Sequence, residues 1–218
     1  MRILHSKKLV FISKPRCGST SVRNFLTKNC QAGDIICNTV DPIEGLHPHM
    51  SATAVKKYLE KKGIDSSEYK FFTVTRHPLE MLWSYFKYFK PDSSCRYNFN
   101  ENHDSNNLMS FENWLENGHV GIGKYWIDYV PSFVTGKDFT PLSLEAHICN
   151  ESGSIDVDQV FYLESLNDVE SWLGNFFENP VEIPKVNGTE ASDLPMITDK
   201  VLVELRKQFP MENEYYKF

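Results

Sequence analysis

The chain has 218 residues, 41% hydrophobic and 24% charged, which is the size and composition of one globular domain with a sizeable core and excludes disorder over most of its length. A formal charge of −6 excludes a general nucleic-acid binder, which needs a basic face, and weighs against a long polyanionic acceptor. Five cysteines (Cys17, Cys30, Cys37, Cys95 and Cys149) include no Cys-x-x-Cys pair, so they read as free thiols in a reducing cytoplasm, not as a disulfide framework or a zinc site. Residues 1–8 lack the apolar stretch of a signal peptide, and no apolar run reaches about 18 residues, so a cytoplasmic protein without a membrane span is expected.

In chain order, Leu9-Val10-Phe11-Ile12-Ser13 is a short apolar run that stops at a Pro/Gly loop, the pattern of a buried strand. A helix then begins at Ser21, with Val22, Phe25 and Leu26 on one face. Residues 52–62 carry Ala54, Val55, Tyr58 and Leu59 at helical spacing, and Gly63 is placed to stop them. Residues 69–75 predict a second strand. Residues 78–89 predict a helix with Pro78 at its first position and Leu82, Tyr85, Phe86 and Phe89 on one face. Residues 92–107 are polar and aperiodic, an exposed loop; 110–117 and 124–130 are short helices rich in Trp and Tyr. A third strand is expected over 159–163, a helix over 169–177, a proline-bearing loop over 180–195, a closing helix over 199–209, and an aromatic tail over 215–218. With neither a repeat nor a linker, residues 1–218 form one domain. Its expected class is α/β, a central, mostly parallel sheet flanked by helices in a P-loop NTPase-like topology.

Between the first strand and its helix lies Lys14-Pro15-Arg16-Cys17-Gly18-Ser19-Thr20-Ser21. A loop that enters a helix N-terminus there presents unpaired backbone N–H groups and the positive end of the helix dipole to an anion. Gly18 permits close approach, Ser19, Thr20 and Ser21 add hydroxyls, and Arg16 adds a forked cation. The Gly-x4-Gly-Lys-(Ser/Thr) spacing of a Walker A loop is absent. A Gly turn followed by a Ser/Thr helix cap explains the same residues, so the loop alone leaves both readings open. A second element tips the balance: Thr75-Arg76-His77-Pro78 ends the second strand, and Ser84 lies two helical turns further on. Two anion loops at the C-terminal ends of two strands suit a ligand phosphorylated at two places.

Here the sequence resembles the sulfotransferases that use 3′-phosphoadenosine 5′-phosphosulfate (PAPS), and is most similar to carbohydrate sulfotransferases of the 2-O- and chondroitin type. Pro15-Arg16-Cys17-Gly18-Ser19-Thr20-Ser21 resembles their 5′-phosphosulfate loop, Pro-Lys-(Thr/Ser)-Gly-(Ser/Thr)-Thr-(Ser/Thr). Arg76-His77-Pro78 through Ser84-Tyr85 resembles their 3′-phosphate element. Phe161-Tyr162-Leu163-Glu164-Ser165-Leu166 and Ile183-Pro184-Lys185-Val186-Asn187-Gly188-Thr189 resemble two later family segments. The resemblance covers residues 8–90 and 155–190 and does not reach 91–154. Three positions depart from the pattern: Arg16 stands for the usual Lys, His77 for an Asn, and Met81 for a frequent second Arg.

The resemblance implies transfer of a sulfuryl group to a hydroxyl-bearing acceptor, a saccharide, with PAPS as co-substrate, adenosine 3′,5′-bisphosphate as product and no metal. It implies that Pro15, Arg16, Cys17, Gly18, Ser19, Thr20 and Ser21 hold the 5′ group, Arg76 and Ser84 the 3′-phosphate, and that Arg16 stabilises charge on the leaving phosphate. Its Lys-His-x-(Ser/Thr) segment maps onto His49 and Ser51, which makes His49 the expected base; His47 and Glu44 are the other candidates, and an ordinary loop with exposed imidazoles also fits Leu46-His47-Pro48-His49. His5, His103, His119 and His147 read as surface residues, and Glu164 as half of an ion pair. Trp114, Tyr125, Trp126 and Tyr129 read as core before a sugar-stacking wall. The other functions left open are a P-loop kinase and a nucleotide binder without turnover.

Overall fold

The computed structural model describes residues 1–88, 110–116, 140–186 and 194–218. Five strands, β1 (Arg2–Leu4), β2 (Leu9–Ile12), β3 (Ile35–Ile36), β4 (Lys70–Thr75) and β5 (Gln159–Tyr162), form one sheet in the order β3-β1-β2-β4-β5. The helices among these residues are α1 (Ser19–Lys28), α2 (Ala52–Lys61), α3 (Pro78–Tyr88), α4 (Phe111–Glu116), α5 (Leu144–Ile148), α6 (Leu166–Leu173), α7 (Asp199–Gln208) and α8 (Pro210–Tyr216).

The sheet is mixed, where a mostly parallel one was expected. β2 pairs parallel with β4, and β4 with β5, but β1 pairs antiparallel with both β2 and β3. Connection length decides this. A single 3-10 turn over His5–Lys7, closed by Lys8 at φ 51°, joins β1 to β2, and a turn that short can only make a hairpin. The stretch from β2 to β4 contains two helices, long enough for a parallel crossover. Strands of three and two residues carry too little pattern to be read, which is why β1 and β3 escaped prediction.

β2 is buried along its whole length, and its alternation sorts the core into two faces. Leu9 and Phe11 join Phe72, Val74 and Phe161 beneath α1 and α6. Val10 and Ile12 join Phe71 and the α2 residues Val55 and Leu59 on the other face. Each fully buried apolar side chain contributes about 1.5–3 kcal/mol, so the inner strands are the most firmly held part of the fold. A third cluster packs α3, α4 and α7 together through Leu82, Phe86, Trp114, Leu205 and Phe209. Trp114, 5% exposed, is core as expected.

The expected helices at residues 52–62, 78–89 and 199–209 are present to within a residue or two at the positions described; α1 starts two residues before the expected Ser21, and α6 runs Leu166–Leu173 where 169–177 was expected. α8 corrects the expected aromatic tail: Pro210 at its first position starts a helix running to Tyr216. His147 is a second correction, because it is 4% exposed on α5 with Nδ1 3.0 Å from the Ser143 carbonyl. His5 is half-buried, with Nδ1 2.6 Å from the Tyr69 hydroxyl. The loop at 92–107, the helix at 124–130, His103, His119, Tyr125, Trp126, Tyr129 and the segment 187–189 lie outside the described residues.

Candidate functional site

Parallel pairing of β2 with β4, with Ile12 opposite Thr73, sets the C-terminal ends of the two strands side by side. The segments leaving them, 13–18 and 76–77, are therefore neighbours, at the sheet edge where parallel α/β proteins bind ligands. Three polar atoms sit there without a hydrogen-bond partner among the described residues: Ser13 Oγ, Thr75 Oγ1 and His77 Nδ1. Ser13 and Thr75 are fully buried, and a buried hydroxyl with nothing to bond costs about 1–3 kcal/mol. An edge that tolerates that cost has polar capacity to offer a ligand.

The loop itself is wound tightly. Arg16 lies at φ 57° and Gly18 at φ 67°, and Gly18 serves as the N-cap of α1. The left-handed conformation alone favours glycine at 18, and a Cβ there would stand 2.3 Å from Leu163 Cδ1. Glycine is thus favoured twice, once by backbone angle and once by the approach of the Leu163 side chain after β5. Pro15, Cys17, Ser19 and Ser21 are buried, while Arg16, Gly18 and Thr20 are half-buried. The hydroxyls are partly engaged: Ser21 Oγ accepts from Val186 N–H at 3.1 Å, and Thr20 Oγ1 accepts from Arg23 at 3.5 Å. The contact at Val186 brings the chain after Ile183 to the start of α1.

Arg16 reaches across to α3, donating from Nε and Nη2 to Ser84 Oγ at 3.1 and 2.9 Å. The two residues assigned to opposite ends of a nucleotide ribose are therefore in direct contact. Arg76, 8% exposed, turns onto Glu80 one helical turn along, with Nε and Nη2 3.0 and 2.9 Å from Oε2. Lys14 is wholly buried, 3.2 Å from Glu212 of α8, with its Nζ also 2.9 Å from Met81 Sδ and 3.7 Å from Cys17 Sγ. That contact gives Met81 a physical reason: an arginine at 81 would press a second cation against Lys14.

Both histidines of the 46–49 segment are held neutral. His49 Nδ1 is 2.6 Å from the Ser13 carbonyl. A carbonyl only accepts, so Nδ1 carries the proton and Nε2 the lone pair. Burial holds this imidazole well below the ordinary histidine range. His47, 2% exposed, accepts the His49 N–H at Nδ1, 3.1 Å away, and burial lowers its pKa to about 4. Ser51 caps α2, accepting from Ala54 N–H at 3.2 Å. Glu44 is exposed, 2.6 Å from Lys62, and is held low by that lysine as a surface ion pair would be. Glu164, expected in an ion pair, instead accepts from the Tyr216 hydroxyl at 2.8 Å.

Ser13, Lys14 and Thr75 bordered the expected segments without being assigned a role, and Glu212 was not named at all. A polar residue ending an apolar strand is a signal that marks Ser13 and Thr75. No local pattern marks Glu212, because its partner lies at the far end of the chain. Among the described residues, no group of three or more His, Cys, Asp or Glu converges to hold a metal ion, and no helix is long and apolar enough to cross a membrane. No protein-family model, no curated protein and no solved structure matches the chain.

Proposed function

We propose that the chain is a sulfotransferase, moving the sulfuryl group of PAPS to an acceptor hydroxyl, and that this hydroxyl belongs to a carbohydrate, as the resemblance implies. The observation that carries the reading is the Arg16–Ser84 contact, which joins the loop after β2 to the helix after β4 at one sheet edge. A ligand bearing phosphates on both sides of a ribose needs two anion loops within one nucleotide's reach, and adjacent parallel strands supply them. A P-loop-like topology is supported by the run of β2, tight loop and α1, with parallel β4 alongside.

Sulfuryl transfer is an in-line displacement in which positioning and charge stabilisation do most of the work. The acceptor oxygen forms a new O–S bond as the bond from sulfur to the bridging phosphate oxygen breaks. The electron pair leaves with the 5′-phosphate of adenosine 3′,5′-bisphosphate. Arg16 offsets the charge that develops on that leaving oxygen, and the start of α1 holds the 5′ group. The proton from the acceptor hydroxyl passes to His49 Nε2. His49 suits this role because its other nitrogen is tied to Ser13, three residues before Arg16, so the imidazole is anchored at the foot of the anion loop. His47 suits it less, because its Nδ1 already accepts the His49 N–H.

Isothermal titration tests the reading. Adenosine 3′,5′-bisphosphate is expected to bind without magnesium and far more tightly than ATP, and Arg16→Ala and Arg76→Ala each weaken it. His49→Ala abolishes transfer while leaving that binding nearly intact. Equal affinity for ATP, or a strict magnesium requirement, points to a kinase and ends the sulfotransferase reading.

A further inference from the structure

Residues on α8 reach the C-terminal ends of the three parallel strands, β2, β4 and β5. Glu212 meets Lys14 after β2, the Tyr216 ring packs edge-on against His77 after β4, and Tyr215 stacks on Tyr162 at the end of β5 with centroids 3.4 Å apart. Of these contacts, the Lys14–Glu212 pair is the most enclosed, because both side chains are fully buried. Lys14 therefore cannot itself greet an incoming anion, and its charge is met by Glu212. Yet it immediately precedes Pro15, and its ammonium touches Cys17 within the loop.

The anion loop requires such an anchor. Arg16 holds a left-handed backbone angle that an L-residue adopts at a cost, and such angles persist where the surroundings over-determine them. One restraint is Arg16 on Ser84, and a second is Lys14 on Glu212.

We propose that Glu212 is a positioning residue: through Lys14, the C-terminal helix fixes the conformation of the anion loop and so sets its affinity for phosphate. The affinity part rests on the nucleotide reading above, whereas the anchoring part does not. Glu212→Gln keeps the side chain's size but leaves the Lys14 charge buried without its counter-ion, a state that drives the lysine toward water and the loop with it.

The experiment has two readouts. Alkylation of Cys17 by iodoacetamide, followed by mass spectrometry of the peptide that carries it, reports whether the loop still shields a thiol that is fully buried in the native fold. Titration with adenosine 3′,5′-bisphosphate reports affinity. Leu59→Ala, in α2 and in a different core cluster from Cys17, supplies a control of lowered stability. In Glu212→Gln, Cys17 labelling is expected to rise about tenfold and the bisphosphate Kd to weaken about tenfold, an effect worth about 1.4 kcal/mol. The exchanged pair Lys14→Glu/Glu212→Lys is expected to recover both. Values within about twofold of the unmodified protein, or no worse than Leu59→Ala at an equal loss of melting temperature, overturn the proposal. If the unmodified protein binds no bisphosphate, the nucleotide reading fails, and the labelling of Cys17 alone then decides the anchoring in favour or against.

Discussion

Arg16 and Ser84 are bound to each other by two hydrogen bonds, 3.1 and 2.9 Å long, and this contact ties the loop after β2 to the third helix. The guanidinium fork matters as much as its charge. A lysine at 16 has one ammonium in place of the two N–H groups that Ser84 receives. Arg16→Lys is therefore expected to weaken adenosine 3′,5′-bisphosphate binding by about tenfold, less than Arg16→Ala does. Ser84→Ala removes the acceptor and should cost about 1 kcal/mol of stability by urea denaturation. A Ser84→Ala variant of unchanged stability and affinity would show the contact to be incidental.

Gly18 combines two constraints that separate experimentally. Gly18→Ala incurs a penalty of about 1 kcal/mol for a left-handed backbone, plus about 1–3 kcal/mol for forcing a methyl against Leu163. Trimming the neighbour in Gly18→Ala/Leu163→Ala should return the steric part and leave the backbone part. Additive losses in the double variant, measured by chemical denaturation, would mean that Leu163 is not the obstacle.

Breaking the Lys14–Glu212 pair from the lysine side should destabilise the fold. Lys14→Met leaves Glu212 buried with no cation, and burial already pushes that carboxyl up against the pull of Lys14. A loss of about 3 kcal/mol is expected at pH 8. It should shrink on acidification, because the stranded carboxyl can then take a proton. Thermal melts at pH 8 and pH 5 check both the size and the sign.

His47, His49 and His147 contribute to the acid limit. His47 and His147 have folded-state values lowered to about 4 by burial, and His49 is held well below its ordinary range, whereas each titrates near 6.5 when unfolded. The unfolded chain therefore binds more protons between those values. The stability from these groups is present above about pH 6.5 and is lost as pH falls through the folded-state values. His147→Gln, which keeps a donor for the Ser143 carbonyl, should make acid unfolding shallower. In the reaction, His49 should remain a competent base well below neutral pH. A transfer rate that halves near pH 6.5 would exclude it.

Glu145 works in the opposite sense. Burial, with Glu212 adding to it, raises its carboxyl to about 7 from an ordinary 4.5. Its contribution is fully present below about pH 4.5 and is lost as pH rises through about 7. Glu145→Gln retains an acceptor for Met211 N–H, so it should melt higher than the unmodified protein at pH 8 and lose that advantage by pH 5. An advantage that persists unchanged at pH 5 would rule out titration of Glu145 as its source.

The inner strands were legible because burial on both faces leaves near-continuous apolar runs: Leu9-Val10-Phe11-Ile12 and Phe71-Phe72 announce β2 and β4 whatever surrounds them. The anion loop was legible for a related reason, since Gly18 and the Ser/Thr run at a helix start are local chemistry. β1 and β3 were not, because two or three residues cannot display a period, and whether they pair antiparallel depends on what lies beside them. The tail that became α8 was hidden likewise. Seven residues of mixed polarity acquire a helix only by packing, with Glu212 and Tyr215 finding partners that are near in space and remote in sequence.

By itself, then, the sequence determined the strand, the glycine loop and the start of the helix within residues 9–26 and the second strand with its Arg76, features fixed by local burial pattern and backbone preference. Only the tertiary structure decided that Arg16 would rest on Ser84, that Lys14 would be withdrawn from any anion by Glu212, and that His49 would carry its lone pair on Nε2. Those outcomes depend on distances between elements far apart along the chain, and a charge or a tautomer is set by its neighbours in space, not by its neighbours in sequence.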